Sequence, residues 1–154
     1  MTTYNSFGII EATERFEMEQ IISYLIAIKS AAKAIHYRTY GEKFWGDHLL
    51  VDRVADDLDD FIDEIFENYY LGKSEDAPQQ KVVMSGASGL IPLVDNDIEK
   101  DFGLLDELVV NCLSELQMLA EANQDLTLGD NDLMGRISSD LQKKHGFIWR
   151  RIKK

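Results

Sequence analysis

The sequence predicts an all-α protein, a bundle of four helices with one long crossover between the second and the third. Three observations lead there. Apolar residues recur at helical spacing in four separate segments. Two prolines and ten glycines in 154 residues leave long stretches unbroken. The three connections run short, long, short, the order that a bundle with a single crossover requires.

The first helix spans about Thr13 to Tyr37, with Met18, Ile21, Ile22, Leu25, Ile28, Ala32 and Ile35 on one face. The second spans about Glu42 to Leu71, with Leu50, Val54, Leu58, Phe61, Ile62, Ile65 and Tyr69 as its stripe. Gly72 follows as a left-handed stop. The third, about Ile98 to Asn123, carries Leu104, Leu105, Leu108, Val109, Cys112, Leu113, Leu116, Leu119 and Ala120. The fourth begins near Asn131 and carries Leu133, Ile137, Leu141, Ile148 and Ile152. A few residues at Arg38–Gly41 join the first pair and QDLTLGD joins the last, so each pair should run antiparallel. Between the second and third helices lie about 26 residues, KSEDAPQQKVVMSGASGLIPLVDNDI, long for a loop in a compact domain. SGASG lacks the Gly-Lys-Ser/Thr of a phosphate loop and reads as a flexible stretch of this crossover.

The length fits one domain, residues 1–154. No apolar run approaches the roughly 20 residues that a membrane span needs. The N-terminus has no basic segment leading into an apolar one, so no secretory signal is expected. Cys112 is a lone cysteine inside an apolar stripe, which reads as a core residue in a reducing compartment. A cytoplasmic location is expected.

Net charge is −12, unevenly spread. Residues 143–154, KKHGFIWRRIKK, hold six basic and no acidic residues, so residues 1–142 carry −18. An acidic body attracts cations and repels nucleic acid. Cations are therefore the first partner to consider.

The second helix holds the informative pattern. At about 100° per residue, His48, Asp52, Asp56, Asp59, Asp63 and Glu67 fall on one side, centred roughly 145° from the apolar stripe. Like charges repel along such a column unless something positive sits among them. The short turn can bring His36 near its start. Imidazole with carboxylates is the ligand mixture for iron, manganese or zinc. A solvated acidic face with two incidental histidines is the competing reading. No Glu-x-x-His occurs in the chain, so the inward-facing di-metal arrangement of a bundle core is not available. Ligands that point away from their own core need a second subunit to complete a metal's shell.

The segment HYRTYGEKFWGDHLLVDRVADDLDDFIDEIFENYYLG, residues 36–72, resembles the signature of the Dps proteins, mini-ferritins of the ferritin-like class. The family's two histidines twelve residues apart, an acid four later and an acidic pair spaced by four match His36, His48, Asp52, Asp63 and Glu67 without a gap. AEANQDLTLGDNDLMGRI is similar, more weakly, to the family's third-to-fourth-helix junction, and KKHGFIWRRI to its final helix. The resemblance implies a ferritin-like four-helix bundle and a homo-oligomeric shell of twelve subunits. It implies oxidation of ferrous iron, with hydrogen peroxide, and storage of ferric mineral. Catalytic metal sites would lie at two-fold interfaces, His36, His48 and Asp52 of one chain facing Asp63 and Glu67 of another. Tyr37 departs from the family's usual tryptophan, and Phe147 stands near where the last helix usually has another. The lysine-rich N-terminal tail through which some members bind DNA is absent.

Two further features have alternative readings. Asp125, Asp130 and Asp132 could line a pore that admits iron, or one of them could cap the fourth helix. Lys143, Lys144, Arg150, Arg151, Lys153 and Lys154 could contact DNA, or simply suit the negative end of a terminal helix. Four of these six lie in the last five residues, where the helix is expected to fray and reach outward.

Overall fold

The computed structural model describes residues 17–73, 76–92 and 97–154. Residues 13–16 of the expected first helix lie outside these. Helix α1 spans Met18–His36, and a 3-10 turn at Gly41–Lys43 leads into α2, Phe44–Ala55. Helix α3 spans Leu58–Glu64 and passes into a π-helical segment, Ile65–Tyr70. The remaining helices are α4, Gln80–Leu90, α5, Ile98–Ala122, and α6, Leu128–Ile152. No strand occurs among the described residues.

Ion pairs fix the topology. At one pole the end of α1 meets the start of α5, with Arg38 Nη1 at 3.0 Å from Asp101 Oδ2. At the same pole the end of α6 meets the starts of α2 and α5, through Arg151 to Asp47 and Glu99. At the other pole Lys73, past the end of the second helix, pairs with Asp130 at the start of α6 at 2.9 Å. So α1 is antiparallel to the second helix and α5 to α6, as the short connections require. The second helix and α5 run parallel, which is why a long crossover must separate them.

The core is built from the stripes read in the sequence, with Phe102 added to the third. Ile22, Leu25, Ile28, Val54, Leu58, Ile65, Phe102, Leu105, Val109, Cys112, Leu133, Ile137, Leu141 and Ile148 are fully buried. Burial pushes the Cys112 thiol up, so it stays protonated as a small apolar filler. Ala120 is exposed, the one member of the third stripe that turns to solvent. Asp97 caps α5 by accepting from the Lys100 amide at 3.2 Å. Helix α6 starts three residues earlier than expected, on a reciprocal cap between Thr127 and Asp130.

Three corrections to the sequence reading concern the backbone, the simplest being that Gly72 does not take the left-handed conformation expected of it. SGASG is not a flexible stretch of the crossover, because it lies inside α4, packed on α1 through buried Val83 and Ala87. Its small residues permit close approach. Ser23 Oγ on α1 donates to the Val83 carbonyl at 3.1 Å, and a Cβ on Gly86 would sit 2.5 Å from that hydroxyl. The second helix is not continuous either. It breaks at Asp56–Asp57, where Asp57 adopts the left-handed φ of 67°, and its last turns widen into the π-helical segment. The apolar phase survives both irregularities, since Val54, Leu58, Ile65 and Tyr69 all stay buried.

Candidate metal centre

The turn after α1 folds back so that His36 and His48 stack, ring centroids 3.7 Å apart and planes 26° from parallel. Their hydrogen bonds are reciprocal. His36 Nδ1 lies 3.2 Å from the His48 carbonyl oxygen, and His48 Nδ1 lies 3.3 Å from the His36 carbonyl oxygen. Thr39 Oγ1 donates to that same His36 carbonyl at 3.0 Å, so its oxygen is free to accept from His48 Nδ1 at 3.3 Å. A carbonyl can only accept, which places the proton of each ring on Nδ1. Each neutral imidazole then keeps an unprotonated Nε2, the tautomer a metal needs, held by the main chain itself. Phe44 stacks on His48 at 4.8 Å and restrains the pair further.

Asp52 lies one turn beyond His48 on the same face, half exposed, with Lys33 Nζ 3.4 Å from Oδ1. Lys29, one turn before Lys33, meets Asp59 at 2.6 Å. These two lysines of α1 supply the positive charge that the acidic column demanded. Asp63 and Glu67 are exposed and lie beyond the break at Asp56–Asp57 from Asp52. One chain therefore brings together His36 and His48, keeps Asp52 nearby, and leaves Asp63 and Glu67 at a distance. No group of three metal-ligating side chains occurs among the described residues.

Several residues that the sequence offered for other roles are committed elsewhere. Asp130 is buried, accepting from the Thr127 amide and pairing with Lys73, so it serves as a cap and not as a pore carboxylate. Asp132 pairs with Arg136, whose guanidinium also bonds Glu64 and holds that carboxyl below its usual range. The helix does not fray over its last five residues as expected but runs on to Ile152, leaving Lys153 and Lys154 beyond it. Arg151 grips buried Asp47 with two bonds of 2.6 and 3.0 Å, reaches Glu99 and lies over the Phe102 ring. Its bond to Asp47 raises its pKa above the ordinary arginine value, locking in the charge. Lys144 is buried as well. Only Lys143, Arg150, Lys153 and Lys154 remain on the surface.

Thr39, Phe44, Lys29 and Lys33 were not read from the sequence as parts of this site. Lys29 and Lys33 had a signal, a four-residue spacing opposite a column of like charge. Thr39 had none, because a threonine in a short turn has no distinguishing pattern.

No protein-family model matches the chain, and no curated protein matches it. Solved structures do. Dps from Mycobacterium smegmatis superposes with a TM-score of 0.74 at 20% identity, covering 100% of this chain and 90% of that one. Dps from Microbacterium arborescens in the high iron form gives 0.75 at 15%, covering 94% and 95%. Dps from Thermosynechococcus elongatus gives 0.72 at 17%, covering 94% and 93%. The chain has the ferritin-like bundle of Dps proteins. No helix of the described residues is long and apolar enough to cross a membrane.

Proposed function

We propose that this chain, a ferritin-like bundle with the Dps fold, is a cytoplasmic ferroxidase that oxidises ferrous iron and stores it as ferric mineral in a dodecameric shell. The observation that carries this is the stacked histidine pair, with both Nδ1 atoms tied to main-chain carbonyls and both Nε2 atoms free for a metal. A packing pair of histidines has no need of that tautomer on both rings.

No three metal-ligating side chains gather within one chain among the described residues, and Asp63 stands across the break from Asp52, so in this reading Asp63 and Glu67 come from a second copy. The surface around the histidines supports that. Tyr37 and Trp45, which flank the pair, are 76% and 69% exposed, and Tyr40 and Leu49 of the same segment are exposed too. Large apolar side chains left open along this segment suit an interface with a second copy. In the assembled site His36 and His48 hold ferrous iron, while Asp52, Asp63 and Glu67 stabilise the added charge of the ferric state. Hydrogen peroxide accepts one electron from each of two ferrous ions as its O–O bond breaks, and the ferric product passes to the cavity as mineral.

The test is anaerobic loading with ferrous iron, followed by hydrogen peroxide, with ferric absorbance and native particle mass as readouts. Oxidation that survives unchanged in His36→Ala and His48→Ala proteins would sink this reading. Zinc supplies a second check. Nitrogen-and-oxygen sites generally prefer Zn(II) over Fe(II), and zinc has no redox chemistry. Site-saturating zinc is therefore expected to suppress oxidation, and an undiminished rate would put the reaction elsewhere.

A DNA-binding role through the C-terminus is the second reading. With Lys144 and Arg151 tied down, the C-terminal cluster keeps four surface cations to meet phosphates, ahead of an acidic body. Copies on one particle can add avidity, but counterion release makes such binding fall steeply with salt. We expect a gel shift at low salt at most, lost when Lys143, Arg150, Lys153 and Lys154 are changed to Gln together. Equal binding by that variant would place the DNA contact elsewhere.

A further inference from the structure

We propose that Lys144, on the last helix, is a positioning residue that holds the break in the second helix and so sets where Asp63 and Glu67 stand. The inference rests on the ferroxidase reading above for what those two acids do, but the break and its clamp are observations of their own.

The break separates the candidate ligands into two groups. His48 and Asp52 ride on α2, tied to His36 through the ring stack. Asp63 and Glu67 ride on α3 and the π-helical segment, beyond the left-handed Asp57. A helix interrupted in this way strands the last carbonyls of its first half without amide partners. Lys144 answers one of them. Its ammonium, buried between α6 and the break, donates to the Asp56 carbonyl at 2.5 Å, across 88 residues of sequence. Asp140, one turn earlier on α6, lies 2.6 Å from the same nitrogen, off the line of a good hydrogen bond, and balances its charge as an ion pair. A cation at the carboxyl end of α2 also opposes that helix's dipole.

Two other lysines touch the break, Lys33 at Asp52 before it and Lys29 at Asp59 after it. Asp52 and Asp59 are 50% and 67% exposed, so solvent and salt screen both pairs. The Lys144 side chain is 4% exposed, and its contacts keep their strength. It is the clamp that decides the geometry. An uninterrupted helix would carry Asp63 and Glu67 on a different line relative to the histidines. The partner copy meets those acids in the position that the clamped break gives them.

The experiment compares assembled wild-type protein with Lys144→Gln and Lys144→Arg. Amide hydrogen exchange is followed across residues 58–70, and Co(II) titration is followed by its visible spectrum. Lys144→Gln is expected to speed exchange in 58–70 selectively and to weaken Co(II) binding roughly tenfold or more, as loss of a supporting contact to a metal site does. Lys144→Arg, which keeps a charged donor, is expected to recover much of both. A lower melting temperature with uniform exchange and unchanged Co(II) binding would overturn the proposal, since that is what a purely structural lysine would do. If Lys144→Gln does not fold, Asp57→Val strains the break from its other side, because a β-branched residue resists a positive φ. Unchanged exchange in 58–70 and unchanged Co(II) binding by that variant would equally overturn it. Should His48→Ala bind Co(II) as well as wild type, the ferroxidase site is what fails, and selective exchange in 58–70 alone decides the role of Lys144.

Discussion

Subunits carrying His48→Ala and subunits carrying Glu67→Ala, each inactive in its own assembly, should regain oxidation when unfolded and reassembled together. The two-fold arrangement sets the size of the recovery. In a random mixture half the pairs join unlike subunits, and each such pair holds one intact site and one doubly damaged site. Activity should therefore return to about a quarter of the wild-type rate. The physical basis is the separation along the second helix, where Asp63 and Glu67 lie beyond the break from His48 and Asp52. A site contained in one chain would give no recovery at any mixing ratio. A well-assembled mixture without activity would count against the shared site, provided the wild type treated in the same way is active.

The other large effect concerns the C-terminus. A chain ending at Trp149 should be markedly less stable than the full chain, and Arg151→Ala should account for most of the loss. Arg151 bonds Asp47 with both arms of its guanidinium, and both side chains are largely shielded, at 16% and 8% exposed. Removing one partner leaves the other charge buried and uncompensated, at a cost of about 3 kcal/mol. Phe102, fully buried beneath the guanidinium, loses that cover too. For a chain of this size the change corresponds to a fall in melting temperature of about 10 °C. Equilibrium denaturation of both variants at matched protein concentration measures it. A difference below about 0.5 kcal/mol, the usual range for surface positions, would show that the pair is worth no more than an exposed one. The consequence for DNA experiments is direct. Truncation at Trp149 confounds loss of charge with loss of fold, so the four-site glutamine variant is the cleaner probe.

Much of the architecture was legible because helical geometry is local. A repeat of 3.6 residues and a rise of 1.5 Å depend only on the backbone, so the stripes from Met18 to Ile35 and from Leu133 to Ile152 could be placed on a core face before any packing was known. The same arithmetic separated the acidic column from the core of its own bundle. The crossover helix is not legible in the sequence because two glycines and two serines in SGASG are weak helix formers, and the need for Gly86 comes from the close approach to Ser23, not from propensity. The break at Asp57 escaped because an acid in a run of acids carries no signal of a left-handed turn.

The sequence by itself determined the all-α class, the order of long and short connections, and the spacing of His36, His48, Asp52, Asp63 and Glu67 along the chain. Each of these depends on neighbours a few residues away. Tertiary structure alone decided which charges are spent. Lys144 and Arg151 were counted with a basic tail until α6 laid one against the Asp56 carbonyl and the other against Asp47. Asp130 was open to two readings until Lys73 closed on it. The tautomers of His36 and His48 likewise waited for the turn that put each ring beside the other's carbonyl. The reason is common to all five side chains. A long or titratable side chain takes its role from whatever another element brings within about 3 Å of its tip, and that element lies elsewhere in the sequence.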